Sequence, residues 1–175
     1  MAPPSRDLHG PAQSQAVRDL LQGLLVAELM NPSPKLWFFF AWISDVELID
    51  NSGRQFAALE PDWPAAPIRL SVVLRALLKR GVAIRLIIRE DGHNDYFVAR
   101  LQALKRQFGD LLKWTIEKHF HAKGLLGADY FLSGSMNLTY NGISVNGEHL
   151  VLRTDPASIA EQAVLLETQW EGIVG

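Results

Sequence analysis

The chain has 175 residues, of which 48% are hydrophobic and 21% charged, enough for one domain with a full core and too few for two comfortable ones. It contains no cysteine, which excludes disulfide bridges and thiolate metal sites. The formal net charge of −2 argues against a protein that coats nucleic acid through overall positive charge. Any phosphate binding must therefore come from a local patch.

The N-terminal residues 1–14 are rich in proline and polar residues and lack the apolar centre of a signal peptide. No apolar run approaches the roughly 20 residues of a membrane span. We therefore expect a flexible leader over residues 1–14, a single domain over residues 15–175, a cytoplasmic location and no membrane association.

The first predicted elements are a helix and a buried strand. Apolar residues from Val17 to Leu29 recur at helical spacing, and the helix should end before Asn31-Pro32. The apolar and aromatic run from Leu36 to Ile43 predicts a strand covered on both faces, although its aromatic side chains have an alternative interpretation as a base-stacking platform. The Pro- and Gly-containing stretch 51–67 indicates an irregular excursion.

Beyond this excursion, helical and strand patterns alternate with short joints marked by glycine. In chain order we predict helix 68–80, strand 82–88, helix 95–108, strand 111–117, short strands 124–126 and 130–133, a short helix from Asn137, strand 148–153 and helix 156–170. This alternation predicts an α/β domain with a mixed, mostly parallel sheet flanked by helices on both faces.

Five polar residues form the chemical signal of the sequence: His121, Lys123, Ser135, Asn137 and Glu148. His121 and Lys123 are two residues apart, and Ser135 and Asn137 have the same spacing near the end of the next predicted strand. If these two strand ends lie side by side, the four side chains converge on one small volume. Lys and Asn donate to phosphoryl oxygens, a neutral imidazole can attack phosphorus, and a helix opening near Asn137 would add backbone N–H groups. Glu148 could hydrogen-bond the far nitrogen of a histidine and fix its tautomer.

These residues resemble the signature of the phospholipase D superfamily, H-x-K followed by G-S-x-N, which stands here as HAKGLLGADYFLSGSMN, with NGEHLVL supplying the downstream Glu of its bacterial nuclease branch. The resemblance implies catalytic roles for the five residues and hydrolysis through a phosphohistidine, without a metal or other cofactor. The family usually places four residues between this Lys and its Asp. Here Ala128 occupies that place and Asp129 follows it, so Asp129 is only a supporting candidate.

The superfamily uses two such motifs at one pseudo-twofold site, whereas this chain carries one. The resemblance therefore implies a homodimer in which His121 of each subunit faces the other. The segments LWFFFAWISDVELID and HAKGLLGADYFLSGSMNLTYNG are also similar to phospholipase D-like proteins of bacterial clusters for deazaguanine modification of DNA. This second similarity implies a role in defence and contact with other defence proteins.

Three further features have competing interpretations. His119 and His121, with Glu117 and Glu148, are a candidate metal set, but we favour His119 lying outside the catalytic set. Trp42 and Ser44 are supporting candidates, because ligands lie at the carboxyl ends of strands in α/β sheets. Arg85, Arg89 and Lys118 are candidates to guide a polyanion or to lie on a solvated surface.

The sequence thus predicts a metal-independent phosphodiesterase that acts on nucleic acid, DNA or RNA. Nucleic acid is favoured over lipid by the small size of the chain, its single motif and the lack of a membrane-surface segment. Two alternatives remain open. One is a noncatalytic module that binds nucleic acid within a larger complex, and the other is a hydrolase of phospholipid headgroups.

Overall fold

The computed structural model describes the backbone of residues 5–9 and 14–174, and the side chains of residues 14–174. The strands are β1 Ser5–His9, β2 Lys35–Phe40, β3 Glu47–Asp50, β4 Pro67–Arg69, β5 Ala83–Arg89, β6 Leu112–Glu117, β7 Gly124–Leu126, β8 Phe131–Gly134 and β9 His149–Arg153. The helices are α1 Ser14–Met30, α2 Leu70–Lys79, α3 Asp95–Phe108, α4 Tyr140–Ser144 and α5 Pro156–Trp170. Short 3₁₀ turns cover Gly92–Asn94 and Gly109–Leu111.

Seven strands form one sheet in the order β1-β9-β8-β7-β2-β5-β6. This confirms the α/β class and the mixed sheet. The expected majority of parallel pairings is wrong. Among the described strands of this sheet only β2 with β5 and β5 with β6 run parallel, and the other four pairs are antiparallel. Parallel neighbours need a crossover of about a dozen residues or more, which α2 and α3 provide, whereas the turn from β7 to β8 allows only a hairpin.

The strand β1 lies within the segment that the sequence suggested as a flexible leader. It pairs antiparallel with β9 from Ser5 opposite Arg153 to His9 opposite His149. The pairing satisfies backbone groups that β9 would otherwise leave open at the sheet edge. The rest of the expected leader, residues 1–4 and 10–13, lies outside the described residues, and Ser14 already belongs to α1.

Helices cover both faces of the sheet, as predicted. The strand β2 divides its side chains between the two faces, because alternate residues of a strand point to opposite sides. Leu36, Phe38 and Phe40 pack with α1, α2 and α3, and Trp37 and Phe39 pack with α5. These five residues are at most 4% exposed, so they are core and not a base-stacking platform, whereas Trp42 of the same run is 37% exposed.

The excursion 51–67 is flanked by a hairpin of β3 and β4 that the sequence did not predict. Asn51, fully buried, ties the loop together: its side chain donates to the carbonyl of Pro64 and accepts from the backbone N–H of Phe56. Among the described residues, no helix combines the length and apolar character needed to cross a membrane.

Candidate active site

Three strand ends meet at one end of the sheet and carry the five motif residues. Gly124 of β7 lies opposite Ser133 of β8, and Gly134 of β8 lies opposite Leu150 of β9. The residues just before β7, just after β8 and just before β9 are therefore neighbours. The structure brings His121 and Lys123, Ser135 and Asn137, and Glu148 to this one edge, and we call these five residues the motif cluster.

His121 and Lys123 precede β7 and do not lie within it, since the strand begins at Gly124. His121 is exposed and Lys123 is half-buried. The Lys123 ammonium donates to the backbone carbonyl of His121 at 2.7 Å. This bond uses one of its three N–H donors and holds the cation on the backbone of His121, so two donors stay available for a phosphate.

Asn137 is oriented by a backbone contact from another strand. The N–H of Trp42, just past β2, donates to Oδ1 of Asn137 at 3.0 Å. The segments continue in register, with Leu138 bridged to Ile43 and the N–H of Ser44 donating to the carbonyl of Leu138 at 2.9 Å. Because its oxygen is occupied, Asn137 presents its NH₂ group as the free part of the carboxamide, which is the part that can donate to a phosphoryl oxygen.

The predicted helix start at Asn137 is wrong by three residues. The helix α4 begins at Tyr140, and Thr139 is its N-cap, with Oγ1 accepting from the N–H of Gly142 at 3.1 Å. The capping threonine outcompetes the asparagine because the carboxamide is held by Trp42. Gly142 also packs against the motif: a Cβ there would lie 2.2 Å from the carbonyl oxygen of Asn137. A helix N-terminus at Asn137 therefore supplies no anion cradle.

Ser135 and Glu148 bind each other across β8 and β9. Ser135 Oγ donates to Glu148 Oε2 in a short hydrogen bond and accepts from the N–H of His149 at 2.9 Å. The side chain of Asn146 donates to the other carboxylate oxygen of Glu148 at 3.1 Å. The expected hydrogen bond between Glu148 and a histidine is replaced here by these two contacts. A hydroxyl carries one proton, so Ser135 in this state orients the carboxylate.

Trp42 and Ser44, the two supporting candidates from β2, lie beside the cluster and are tied to the loop after β5. The indole N–H of Trp42 donates to Oδ2 of Asp91 at 3.0 Å, and Ser44 Oγ lies 2.9 Å from Nε2 of His93. Hydrogen bonds from the N–H of His93 and from Trp42 lower the pKa of Asp91 below its ordinary value.

The sequence reasoning missed this supporting loop. Asn94 is 2% exposed, accepts from the N–H of Ile43, and donates to the carbonyls of Ala41 and Arg89. A usable signal was present, because Asp91, His93 and Asn94 directly follow a predicted buried strand at its carboxyl end.

Most of the chain matches a known protein family. The model of a family described as the cardiolipin synthase, PLD-like domain matches residues 46–170, or 125 of 175 residues, and this span includes the whole motif cluster. The chain belongs to the phospholipase D-like family. Membership supports phosphodiesterase-type activity in general. No curated protein matches the sequence.

Solved structures share the fold of this phospholipase D-like chain. Nuc from Salmonella typhimurium, a phospholipase D family member, aligns over 97% of this chain and 95% of Nuc at 16% identity with a TM-score of 0.62. NucT from Helicobacter pylori aligns over 98% of each chain at 13% identity with a TM-score of 0.64. TrmBL2, an archaeal chromatin protein whose structure shows a novel mode of DNA binding, aligns over 96% of this chain and 52% of TrmBL2 at 12% identity with a TM-score of 0.55.

Asp129 lies outside the motif cluster, which corrects its candidacy as a supporting site residue. It sits in the exposed turn between β7 and β8, at the opposite end of this hairpin from His121 and Lys123. The neighbouring Ala128, at the usual family Asp position, donates its N–H to Ser33 Oγ at 2.8 Å. Ser33 in turn donates to the buried carboxylate of Glu28 at 2.7 Å. In this phospholipase D-like domain the turn between β7 and β8 is thus anchored to α1 through Ser33 and Glu28.

The basic residues suggested as guides for a polyanion separate into two groups. Arg85 is 7% exposed and ion-paired with Glu171 at 3.1 Å, so it stabilises the fold and does not lie on the surface. Arg89 and Lys118 line an open cleft of about 850 Å³ at the ends of β5 and β6, together with His119. Nowhere among the described residues do three His, Asp or Glu side chains gather as metal ligands would, which leaves the candidate metal set of His119 and His121 without support.

Proposed function

We propose that this chain is a metal-independent phosphodiesterase that cleaves nucleic acid and whose active site is completed by a second copy of the chain. The observation that carries the proposal is the convergence of the motif cluster from the ends of three adjacent strands. A nucleophile, a cation, an amide donor and an oriented carboxylate at one edge are the groups that phosphoryl transfer requires.

The proposed reaction has two steps. In the first step a neutral His121 imidazole forms a bond to phosphorus, and the bond to the leaving oxygen breaks while His121 of the second copy donates a proton to that oxygen. In the second step that second histidine takes a proton from water, which attacks phosphorus and releases the first imidazole. Lys123 and the NH₂ group of Asn137 donate to the nonbridging oxygens, whose negative charge grows in the transition state.

The proposal of a homodimer rests on the incomplete site. The chain supplies one His-x-Lys motif, and the scheme needs a neutral histidine as the nucleophile and a protonated histidine as the acid. His121 is exposed, and two large apolar side chains beyond Asn137, Tyr140 and Val145, are 65% and 55% exposed. A second copy placed over this edge would cover them and bring its own His121 to the same phosphate.

Two comparisons support nucleic acid as the substrate class. Nuc and NucT are covered over almost their whole lengths, so this chain has the size of a single-motif member of the family. The structure of TrmBL2, which shares the fold, concerns DNA binding. The similarity to DpdK-type phospholipase D-like proteins of bacterial modification clusters leads us to propose a cytoplasmic role in defence, with partners among the other proteins of such a cluster.

A cleavage assay with excess chelator tests the enzyme proposal. We expect the purified chain to nick plasmid DNA or cut labelled oligonucleotides in the presence of chelator, and we expect His121→Ala and Lys123→Ala to abolish cutting. Lys105→Ala is the matched control, because Lys105 lies on α3 against Trp114, away from the motif cluster. Cleavage that requires an added metal, or that survives in His121→Ala, would contradict the proposal.

The same assay separates the two alternatives. Binding of oligonucleotides without any cleavage would identify a noncatalytic binding module. Activity confined to phospholipid micelles would identify a headgroup hydrolase, an alternative favoured by the family description, which names a cardiolipin synthase domain.

A further inference from the structure

One aromatic side chain stands between the motif cluster and the open cleft. In the sheet, β2 lies between β7, which leads from the motif cluster, and β5, whose end forms the cleft. Trp42 follows β2 at this edge. Its backbone N–H contacts Asn137 on one side, and its ring contacts Asp91 and Arg89, which line the cleft, on the other.

The indole ring of Trp42 is held in place but not covered. Its N–H is fixed on Asp91 at 3.0 Å, and the Arg89 guanidinium lies 5.9 Å from the ring centroid. Even so, 37% of the residue is exposed, in contrast to Trp37 at 2% and Trp63 at 6%. A fixed, exposed aromatic ring loses little conformational entropy when a flat group stacks on it.

The charge of the cleft decides what kind of group it accepts. Its lining holds four carboxylates and two cations: Glu90, Asp91, Asp95 and Glu117 against Arg89 and Lys118. This lining would repel a continuous sugar-phosphate backbone. A neutral nucleobase differs, because its amino groups donate to carboxylates and its π face stacks on an aromatic ring.

We propose that Trp42 stacks on the nucleobase next to the scissile phosphate, and that this base enters the cleft while the phosphate stays on the motif cluster. The inference rests on the proposed phosphodiesterase function and names its substrate class. A base inside a duplex is already stacked on its neighbours, so it reaches Trp42 only when it is unpaired. The substrate is therefore single-stranded or locally unpaired nucleic acid.

Small chromogenic esters separate the base from the phosphate. The p-nitrophenyl ester of thymidine 5′-phosphate carries a base, whereas methyl p-nitrophenyl phosphate presents the same reacting bond without one. Loss of one stacked base costs about tenfold or more in binding. We expect Trp42→Ala to lower kcat/KM for the thymidine ester by about tenfold more than for the methyl ester, and Trp42→Phe to retain most of the preference.

The outcomes distinguish this inference from the proposed function. Equal losses on both esters in Trp42→Ala would show that the Trp42 side chain acts only indirectly, by holding its own backbone N–H against Asn137. That result overturns the inference and leaves the phosphodiesterase intact. Equal kcat/KM values of the wild-type chain for the two esters would overturn it as well. Hydrolysis of neither ester and of no nucleic acid would count against the proposed function.

A binding measurement tests the stacking without turnover. In a His121→Ala, Trp170→Phe background, which removes the tryptophan that lines the cleft, a single-stranded oligo(dT) should quench tryptophan fluorescence, and Trp42→Phe should remove most of the quenching. Trp114→Phe is the control. Trp114 belongs to β6, and its ring lies under Lys105, away from the cleft. Quenching that survives Trp42→Phe, or that is equal for an abasic strand of the same length, would overturn the inference even if the chain cuts nothing.

Discussion

The backbone N–H of Trp42 donates to the carboxamide oxygen of Asn137 at 3.0 Å, although β7 separates β2 from β8 in the sheet. The contact joins the segment after β8 to the segment after β2 at the edge where His121 and Lys123 enter β7. This hydrogen bond occupies the oxygen of the Asn137 carboxamide and leaves its NH₂ group to donate to a ligand. The orientation of the Asn137 carboxamide is therefore set by a backbone N–H group, which no residue type in the sequence could have indicated.

Two substitutions of Asn137 separate its structural and chemical roles. Asn137→Asp keeps an oxygen for the Trp42 N–H but replaces the NH₂ donor with a negative charge. We expect its kcat/KM to fall by about 100-fold or more while its melting temperature stays near that of the wild type. Asn137→Ala also loses the acceptor, so both activity and melting temperature should fall. Equal destabilisation by the two variants in thermal unfolding would refute this division of roles.

Ser135 should matter less for catalysis than Asn137 or Lys123. Its single proton goes to Glu148, so it orients the carboxylate and does not donate to the phosphate in this state. We expect Ser135→Ala to lower kcat by about tenfold, in line with the loss of one to two hydrogen bonds. Steady-state kinetics measure the effect.

The control for this variant is Ser133→Ala, which removes a hydroxyl from the same strand. Ser133 accepts from Arg153 at 3.2 Å and does not contact Glu148. Its loss should leave kcat within about twofold, since this single, partly buried hydrogen bond does not involve Glu148. A larger loss of kcat in Ser135→Ala than in Asn137→Asp would show that the serine hydroxyl turns to the phosphate during the reaction.

Gly134 is required by the approach of β8 to β9. Its φ is +152°, and a Cβ there would lie 2.0 Å from the carbonyl oxygen of His149. We expect Gly134→Ala to destabilise the fold by about 2 kcal/mol or more, because backbone conformation and space both oppose a side chain. Chemical denaturation measures this free energy of unfolding.

Gly23 provides the opposite case for comparison. It lies in α1, and a Cβ there would meet no atom within 4 Å. Gly23→Ala should therefore stabilise the chain by about 0.5–1 kcal/mol through helix propensity. If both variants changed the free energy of unfolding by the same amount and sign, that result would refute the close contact between β8 and β9 at Gly134.

The ion pair of Arg85 and Glu171 anchors the C-terminal end of α5. Partial burial raises the pKa of Glu171, but hydrogen bonds from Lys35 and Arg85 outweigh it and lower the pKa below the ordinary value of 4.5. Glu171→Gln leaves the buried Arg85 charge without its counterion, which should cost about 2 kcal/mol or more. Glu167→Gln, the control, loses only the more exposed pair with Lys35 and should cost about 0.5 kcal/mol.

The sign of the pH dependence follows from this lowered pKa. The ion pair contributes its full stability above the ordinary pKa of the carboxyl group and loses it as pH falls through the pKa of the folded state. The difference in unfolding free energy between wild type and Glu171→Gln should therefore be constant at neutral pH and shrink below about pH 4. A difference that grows on acidification would contradict the assigned pair.

The sequence predicted the buried strand at β2, the glycine-terminated helix α3 and the approach of His121, Lys123, Ser135 and Asn137, because these depend on local pattern and strand ends. It did not predict the hairpin of β3 and β4, because these strands are only four and three residues long. It also assigned Glu148 to a histidine. That carboxylate is instead held by Ser135 and Asn146, which depends on the register between β8 and β9 and on no feature of either strand alone.

The proposed reaction needs His121 from two chains at each phosphate, and mixed dimers test this requirement. Wild-type and His121→Ala chains with different tags can be co-expressed at equal levels and purified together. If both histidines are needed at one phosphate, only wild-type homodimers are active, and specific activity should fall to about a quarter of the wild-type value. Activity of about half would show that each chain acts alone, which would contradict the account.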